Sequence, residues 1–173
     1  MNYTFLVYYS VIFFLPAYVA NAMPVIANGL NLCPSLAKPI HEEWFGKSKT
    51  YRGFIFGIIG AFIINIVPLS FGFYDFHESA TLIIFFWTTF TLSIGALLGD
   101  LAKSFFKRRV GIKSGHPWPP FDQLDYVIGA LLFSYAINPQ PLEVIVTLLI
   151  LSPLLSLFAN VAAYILHLKK VWW

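Results

Sequence analysis

The sequence predicts an all-α integral membrane protein, a single domain over residues 1–173 with five transmembrane helices, its amino terminus outside and its carboxyl terminus cytoplasmic. Three observations predict this. Only 11% of residues are charged and 58% are apolar, whereas a soluble globular domain has about 25% charged residues. The apolar residues fall in runs long enough to cross a bilayer, joined by loops too short to fold alone. All 11 basic residues lie in alternate loops and the tail, so one arrangement of the spans satisfies the positive-inside rule.

The first span is expected over 3–23. Ala20-Asn21-Ala22 has the form of a cleavage site, but no Lys or Arg precedes the apolar run, so the span is read as retained. A cytoplasmic loop over 24–52 carries Lys38, Lys47, Lys49 and Arg52 against Glu42 and Glu43. Its end, Gly46 to Gly53, sets cations, hydroxyls and glycines just before a span. That composition suits contact with phosphate and equally suits anchoring at a membrane surface, and it lacks the spacing of a Walker A motif. Cys33 has no intrachain partner and no neighbouring ligand spacing, and receives no role.

The second span, 54–71, aligns Gly53, Gly57 and Gly60 with Ala61 along one side. Small residues let another helix approach closely, and a homodimer through this face is one expectation. Asn65, near the centre, must face protein or a cavity, because an unpaired amide in hydrocarbon is costly. A link over 72–79 holds Asp75, His77 and Glu78 and no base.

The third span, 80–98, is expected to continue as a helix through its charged end. There Asp100, Lys103, Ser104 and Lys107 follow an i, i+3, i+4, i+7 pattern and share one face, with Arg108 at its edge. Gly111, Gly115, Pro117, Pro119 and Pro120 exclude a regular helix in the rest of the loop 99–121. The fourth span is expected over 122–138 and, after a turn framed by Pro139 and Pro141, the fifth over 142–168. Ser152, Ser156 and Asn160 recur every four residues and mark an inward face.

The stretch from Gly99 to Asp125 holds three of the eight acidic residues and five of the 11 basic ones. Three carboxylates beside five cations make a poor pocket for a simple anion. A Mg²⁺ with oxygen ligands and a phosphate-bearing substrate would account for both sets. Other roles compete. Asp122 after Pro-Pro, with an acid three residues on, has the look of a helix cap. Lys107, Arg108 and Arg109 suit anchoring to anionic lipid, and His116 in a polar loop receives no role.

The pattern Gly99-Asp100-Leu101-x-x-Ser104-x-x-Lys107-Arg108-x-x-x-x-Lys113, followed by Asp122-x-x-Asp125, resembles the signature of the CTP:phosphatidate cytidylyltransferase (CDP-diacylglycerol synthase) family. Bacterial and eukaryotic members carry His-Gly-Gly before the aspartates, where this chain has Gly115-His116-Pro117-Trp118-Pro119-Pro120-Phe121, and an acid where it has Ser114. Those departures, with Asp122-Gln123-Leu124-Asp125-Tyr126, Pro16-Ala17-Tyr18-Val19-Ala20-Asn21 and Lys49-Thr50-Tyr51-Arg52-Gly53, resemble the archaeal branch, the CDP-archaeol synthases. The likeness covers nearly the whole chain.

The resemblance implies transfer of CMP from CTP to an unsaturated archaeal ether-lipid phosphate, 2,3-bis-geranylgeranyl-glycerol phosphate, with Mg²⁺ as cofactor. It implies Asp100, Asp122, Asp125 and Lys107 as catalytic residues, the three aspartates also holding the metal. Lys103, Ser104, Lys107, Arg108 and Lys113 would bind CTP and its phosphates, joined by Lys49, Thr50, Arg52 and Asn21. The expected partners are CTP, the isoprenoid lipid phosphate and the bilayer, with no nucleic acid. The expected location is the cell membrane, multi-pass, with the active site on the cytoplasmic face. The alternative is a small multispan transporter of a phosphorylated solute, which predicts polar residues spread across the membrane depth. In this sequence the ionisable ones gather at one face.

Overall fold

The computed structural model describes residues 2–70 and 79–171, so Asp75, His77 and Glu78 of the acidic link lie outside the described residues. The chain runs through α1 (Tyr3–Gly29), a 3-10 turn (Pro34–Leu36), α2 (Glu42–Phe45), α3 (Tyr51–Ile64), α4 (Ile66–Ser70), α5 (Ser79–Arg109), α6 (Phe121–Ser134) and α7 (Leu142–Ile165). Among the described residues four helical stretches are long and apolar enough to cross a membrane: Tyr3–Gly29, Tyr51–Pro68, Thr81–Arg109 and Leu142–Ile165. With 14 residues, α6 reaches about 21 Å and falls short of the roughly 30 Å hydrocarbon core.

Prolines place two boundaries where the sequence reading did not. The first span continues past residue 23 to Gly29 although Pro24 lies inside it. The ring of Pro24 packs against Gly53, where an added Cβ would sit 2.9 Å away, so packing on α3 offsets the lost backbone hydrogen bond. The second span breaks instead. Pro68 has no N–H for the carbonyl of Ile64, so α3 ends there with Asn65 as its C-cap, and α4 restarts at Ile66.

Gly53, Gly57 and Gly60 pack within the chain, against Pro24, against Ala20 and Leu97, and against Met23 and Val19 of its own helices. The expected self-association face is therefore covered by α1 and α5. A second glycine seam joins α5 to α6. A Cβ on Gly129 would lie 2.8 Å from the Gly99 Cα and closer still to the Gly95 carbonyl, and one on Gly95 would lie 2.8 Å from the Phe133 Cβ. Only bare backbones fit at this distance.

Phe13, Phe14, Ala17, Leu92, Leu97, Tyr126, Val127 and Leu148 lie in the core. Two polar links tie its helices together. The Tyr126 hydroxyl donates to the Ser152 carbonyl at 3.2 Å, and Tyr18 shares a 2.8 Å bond with the Ser152 hydroxyl. Ile150, Leu154 and Phe158 of α7 remain exposed, an outward face suited to lipid and not to water. The end that carries Asn65 is also bonded. Asn65 donates to Thr89 at 2.5 Å, and Tyr9 donates to Gln140 at 3.1 Å.

Candidate active site

The charged end of α5 presents Asp100, Lys103, Ser104 and Lys107 on one face, and the start of α6 lies across it. The Lys103 ammonium sits among three carboxylates: Asp122 Oδ1 at 2.8 Å, Asp125 Oδ2 at 3.0 Å and Asp100 Oδ1 at 3.2 Å. Lys107 Nζ donates to both oxygens of Asp122, at 3.0 and 3.1 Å. Lys49, from the loop before α3, pairs with Asp100 Oδ2. Three lysines thus meet three aspartates in one cluster. The Lys103 and Asp125 side chains are only 12% and 5% exposed. Ions so little exposed must be paired, since removing one partner from a buried pair costs about 3–5 kcal/mol.

The α5–α6 seam sets this geometry. A Cβ on Gly99 would run into the Asp125 carbonyl, so the bare Gly99 backbone admits α6 at the level of the aspartates. Asp122 does not cap α6. Pro120 occupies the N-cap position without a side-chain bond, and the Asp122 carboxylate instead accepts from Trp118 N while facing both lysines. The capping alternative is corrected by that orientation. The Pro-rich loop is thereby drawn back onto an aspartate already engaged by α5.

The other expected residues divide into two groups. Ser104 donates to the Asp100 carbonyl at 2.8 Å and is buried at the cluster's edge. The Arg108 Nε is buried without a hydrogen-bond partner, leaving a donor at this end of α5. Lys113 is exposed on the loop beyond, and that loop meets the first one through a 3.4 Å contact between Ser48 and Ser114. Lys49, Thr50 and Asp100 line a small cleft of about 30 Å³.

Arg52 and Thr50 are bonded to groups other than the carboxylates. The Arg52 guanidinium is buried and clamps the end of α1, donating to Asn28 at 2.6 Å, Asn31 at 3.2 Å and the Leu32 carbonyl at 3.1 Å. Thr50 caps α3, its hydroxyl accepting from Gly53 N at 3.2 Å. Asn21 is half-buried on α1, beside Ala20, whose carbonyl faces Gly57. His116 is exposed in its loop.

Lys103, expected as one of several phosphate contacts and not among the catalytic residues, is the centre of the cluster. Its i+3 spacing from Asp100 and i+4 spacing to Lys107 was the available signal. The tail residue Lys169, which received no role, donates to Asn160 at 3.0 Å. The recurrence of Asn160 on the inward face of α7 could have pointed to it. Among the described residues no group of three His, Cys, Asp or Glu side chains is gathered as a metal cluster. Lys103 stands between the three aspartates.

The family model described as CarS-like, CDP-archaeol synthase, matches residues 3–173. The chain is 38% identical over 176 residues to the CDP-archaeol synthase of Methanocaldococcus jannaschii, covering 97% of this chain and 98% of that one. It is likewise 38% identical over 183 residues to that of Methanococcus maripaludis strain C5, across the whole of both chains. It is also similar to the solved structure of an intramembrane enzyme for archaeal membrane lipid biosynthesis, with a TM-score of 0.70 and 32% identity over 87% of this chain and 91% of the other.

Proposed function

The chain belongs to the CarS-like CDP-archaeol synthase family, and from that premise we infer its chemistry: transfer of a cytidylyl group onto an archaeal ether-lipid phosphate, yielding CDP-archaeol. The family match over residues 3–173 carries this reading. The concentration of carboxylates and ammoniums at one end of the helices supports it over a transport pathway through the membrane depth.

In the proposed reaction a phosphate oxygen of the lipid attacks the α-phosphorus of CTP. The bond to the bridging oxygen of the β-phosphate breaks, and pyrophosphate leaves. The second pKa of a phosphate monoester is about 6, so the nucleophile is already largely dianionic and needs no general base. What it needs is control of charge, because two polyanions must meet and a third must depart.

Lys49, Lys103, Lys107 and Arg108 are the cations at the cluster, and the exposed Lys113 lies at the loop above it. We assign them to the triphosphate and the departing pyrophosphate. Each bound phosphate oxygen would draw an ammonium from a carboxylate and leave that carboxylate free. Asp100, Asp122 and Asp125 then form an all-oxygen donor set that suits Mg²⁺. The buried Asp125 Oδ2 already lacks a hydrogen-bond partner, its contact with Lys103 being an ion pair without hydrogen-bond alignment. When bound, the divalent ion supplies charge neutralisation to the triphosphate and its leaving group.

In the same reading α6 with its following turn is the fourth of five crossings, and the basic end faces the cytoplasm, where CTP is found. The last turns of the 31-residue α5 carry the cluster to the membrane boundary. There a headgroup can meet a soluble nucleotide while its tails stay in the bilayer.

The test is pyrophosphate release by purified protein in detergent with CTP, Mg²⁺ and the bis-geranylgeranyl glycerol phosphate, for wild type and Asp125→Asn. Lipid-dependent release is expected, reduced at least about 100-fold by the substitution in a variant that keeps its melting transition. A folded wild type that releases nothing with this lipid or with phosphatidate refutes the reading.

A further inference from the structure

The early end of α6 leaves space beside α7. Its 14 residues lie against a helix of 24, and beyond Ser134 the chain leaves the helix for the turn that Pro139 and Pro141 frame. Between the two helices at that end is a cavity of about 230 Å³. Ile128, Leu131, Leu132 and Tyr135 wall it on one side, and Ile145 and Leu149 of α7 on the other. Bare glycine backbone brings α6 hard against α5, whereas on this side bulky side chains hold the helices apart.

The polar residues at the cavity have partners within the protein. Ser134 donates to the Leu131 carbonyl at 3.3 Å, and Asn138 to Thr88 at 3.5 Å. Gln140 donates to the Asn138 carbonyl and side-chain oxygen at 3.2 and 3.0 Å and accepts from Tyr9 at 3.1 Å. What remains on offer is apolar wall, which suits an apolar guest and not water.

The cavity begins one helical turn from the ionic cluster. Asp125, Ile128, Leu132 and Tyr135 recur at i, i+3, i+7 and i+10 and so share one face of α6. The first pairs with Lys103, and the other three are exposed walls of the cavity. At about 1.5 Å per residue this stripe runs roughly 15 Å from Asp125 to Tyr135. The opposite wall keeps pace with it. Tyr126 bonds to the Ser152 carbonyl and α7 runs back along α6, so Ile145, seven residues before Ser152, stands about 10 Å farther from the cluster. The exposed stripe leaves the groove open sideways, toward lipid.

We propose that the groove between α6 and α7 seats one isoprenoid tail of the lipid substrate, entered laterally from the bilayer, with the phosphate at its Asp125 end. The occupant follows from where the groove leads. An apolar channel that starts at a cluster of lysines and aspartates fits a molecule whose phosphate and hydrocarbon are joined end to end. The inference rests on the cytidylyltransferase reading above and adds to it the place of the tail.

Photolabelling of the full chain in detergent tests it without turnover. The probe is a bis-geranylgeranyl glycerol phosphate with a diazirine near the tail ends, and labelled residues are mapped by mass spectrometry. Label is expected on Tyr135, Ile145 and Leu149, about tenfold or more above that from the same probe without its phosphate, because the charged headgroup sets the tail in register. Kinetics give a second readout. Ile145→Trp fills the far end of the groove and should raise KM for the geranylgeranyl lipid about three- to tenfold. KM for CTP, and for a geranyl analogue too short to reach Ile145, should stay within about twofold.

Equal labelling by the phosphate-free probe would mean that bilayer lipid fills the groove indifferently, and label confined to other helices that the tail lies elsewhere; either overturns the proposal. So does a folded Ile145→Trp that leaves the lipid KM unchanged or raises it for both tail lengths alike. If Ile145→Trp does not fold, Leu132→Trp, at the exposed mouth, takes its place with the same expectation. A wild type without turnover refutes the parent reading, while phosphate-dependent labelling still reports the seat of the tail.

Discussion

Gly129→Ala should inactivate the protein without touching a charged residue. Its new Cβ would lie 2.8 Å from the Gly99 Cα and closer still to the Gly95 carbonyl. Ordinary contact begins near 3.4 Å, and both obstacles are backbone, which cannot rotate away. Relief requires α5 and α6 to part by roughly 1 Å, and overpacking of this kind costs about 1–3 kcal/mol. The same displacement moves Asp122 and Asp125 away from Lys103, and a misplacement of about 1 Å in a catalytic constellation costs roughly 100-fold in rate. Gly60→Ala is the matched control. Its Cβ would lie 2.5 Å from Met23 Cγ, the flexible side chain can swing aside, and the site is a helix away. The assay is pyrophosphate release together with a thermal melt in detergent. A Gly129→Ala variant that keeps wild-type rate and melting temperature refutes the claim that the glycine seam sets the site's geometry.

Three further outcomes follow from the packing. Lys103→Met leaves three carboxylates facing one another without their common cation, so the metal-free protein should lose about 3–5 kcal/mol. Its melting temperature should then rise with added Mg²⁺ more steeply than that of wild type; a melt indifferent to Mg²⁺ would contradict the metal assignment. Arg52→Lys replaces a planar fork bonded to Asn28, Asn31 and Leu32 by a point charge. It should cost about 1.5–3 kcal/mol and change KM for CTP little, and a raised KM with an unaltered melt would show that Arg52 serves the nucleotide. Tyr126→Phe removes the donor to the Ser152 carbonyl and should lower stability by about 1 kcal/mol with catalysis intact, as read from paired melts and rates.

The helices and the charged face of α5 were legible because they depend on local pattern. An apolar run of span length and an i, i+3, i+4, i+7 array each specify a periodicity without reference to the rest of the chain. The breaks at prolines were not legible in that way. Pro24 is absorbed and packs on Gly53, whereas α3 ends four residues before Pro68, itself fully buried, so a proline alone does not say whether a helix continues. The glycines show the same limit. Gly53, Gly57 and Gly60 announce a close approach but not which helix makes it, and Gly95, Gly99 and Gly129, which hold the site together, are separated by a loop. Lys169 drew no role because a basic residue after a final span is what the positive-inside rule supplies anyway, although the inward face marked by Asn160 pointed to its bonding partner.

The pairing suggests why the aspartates and lysines occur together. Three ammoniums alone at a membrane boundary would repel one another, and three carboxylates alone would repel the nucleotide. Paired, they let the free protein pack α5, α6 and the first loop at a site that must stay open to both substrates. In the proposed reaction binding proceeds by exchange, with phosphate oxygens replacing carboxylates around Lys103 and Lys107, so that each ammonium keeps an anionic partner. The exchange also makes ligand selection steep. A sugar or amine offers no oxygens able to displace a carboxylate from an ammonium, and a single phosphate displaces fewer than a triphosphate does. On the proposed assignment, selectivity for a polyphosphate follows from the pairing, and CMP is expected to bind far more weakly than CTP, as competition against CTP would show.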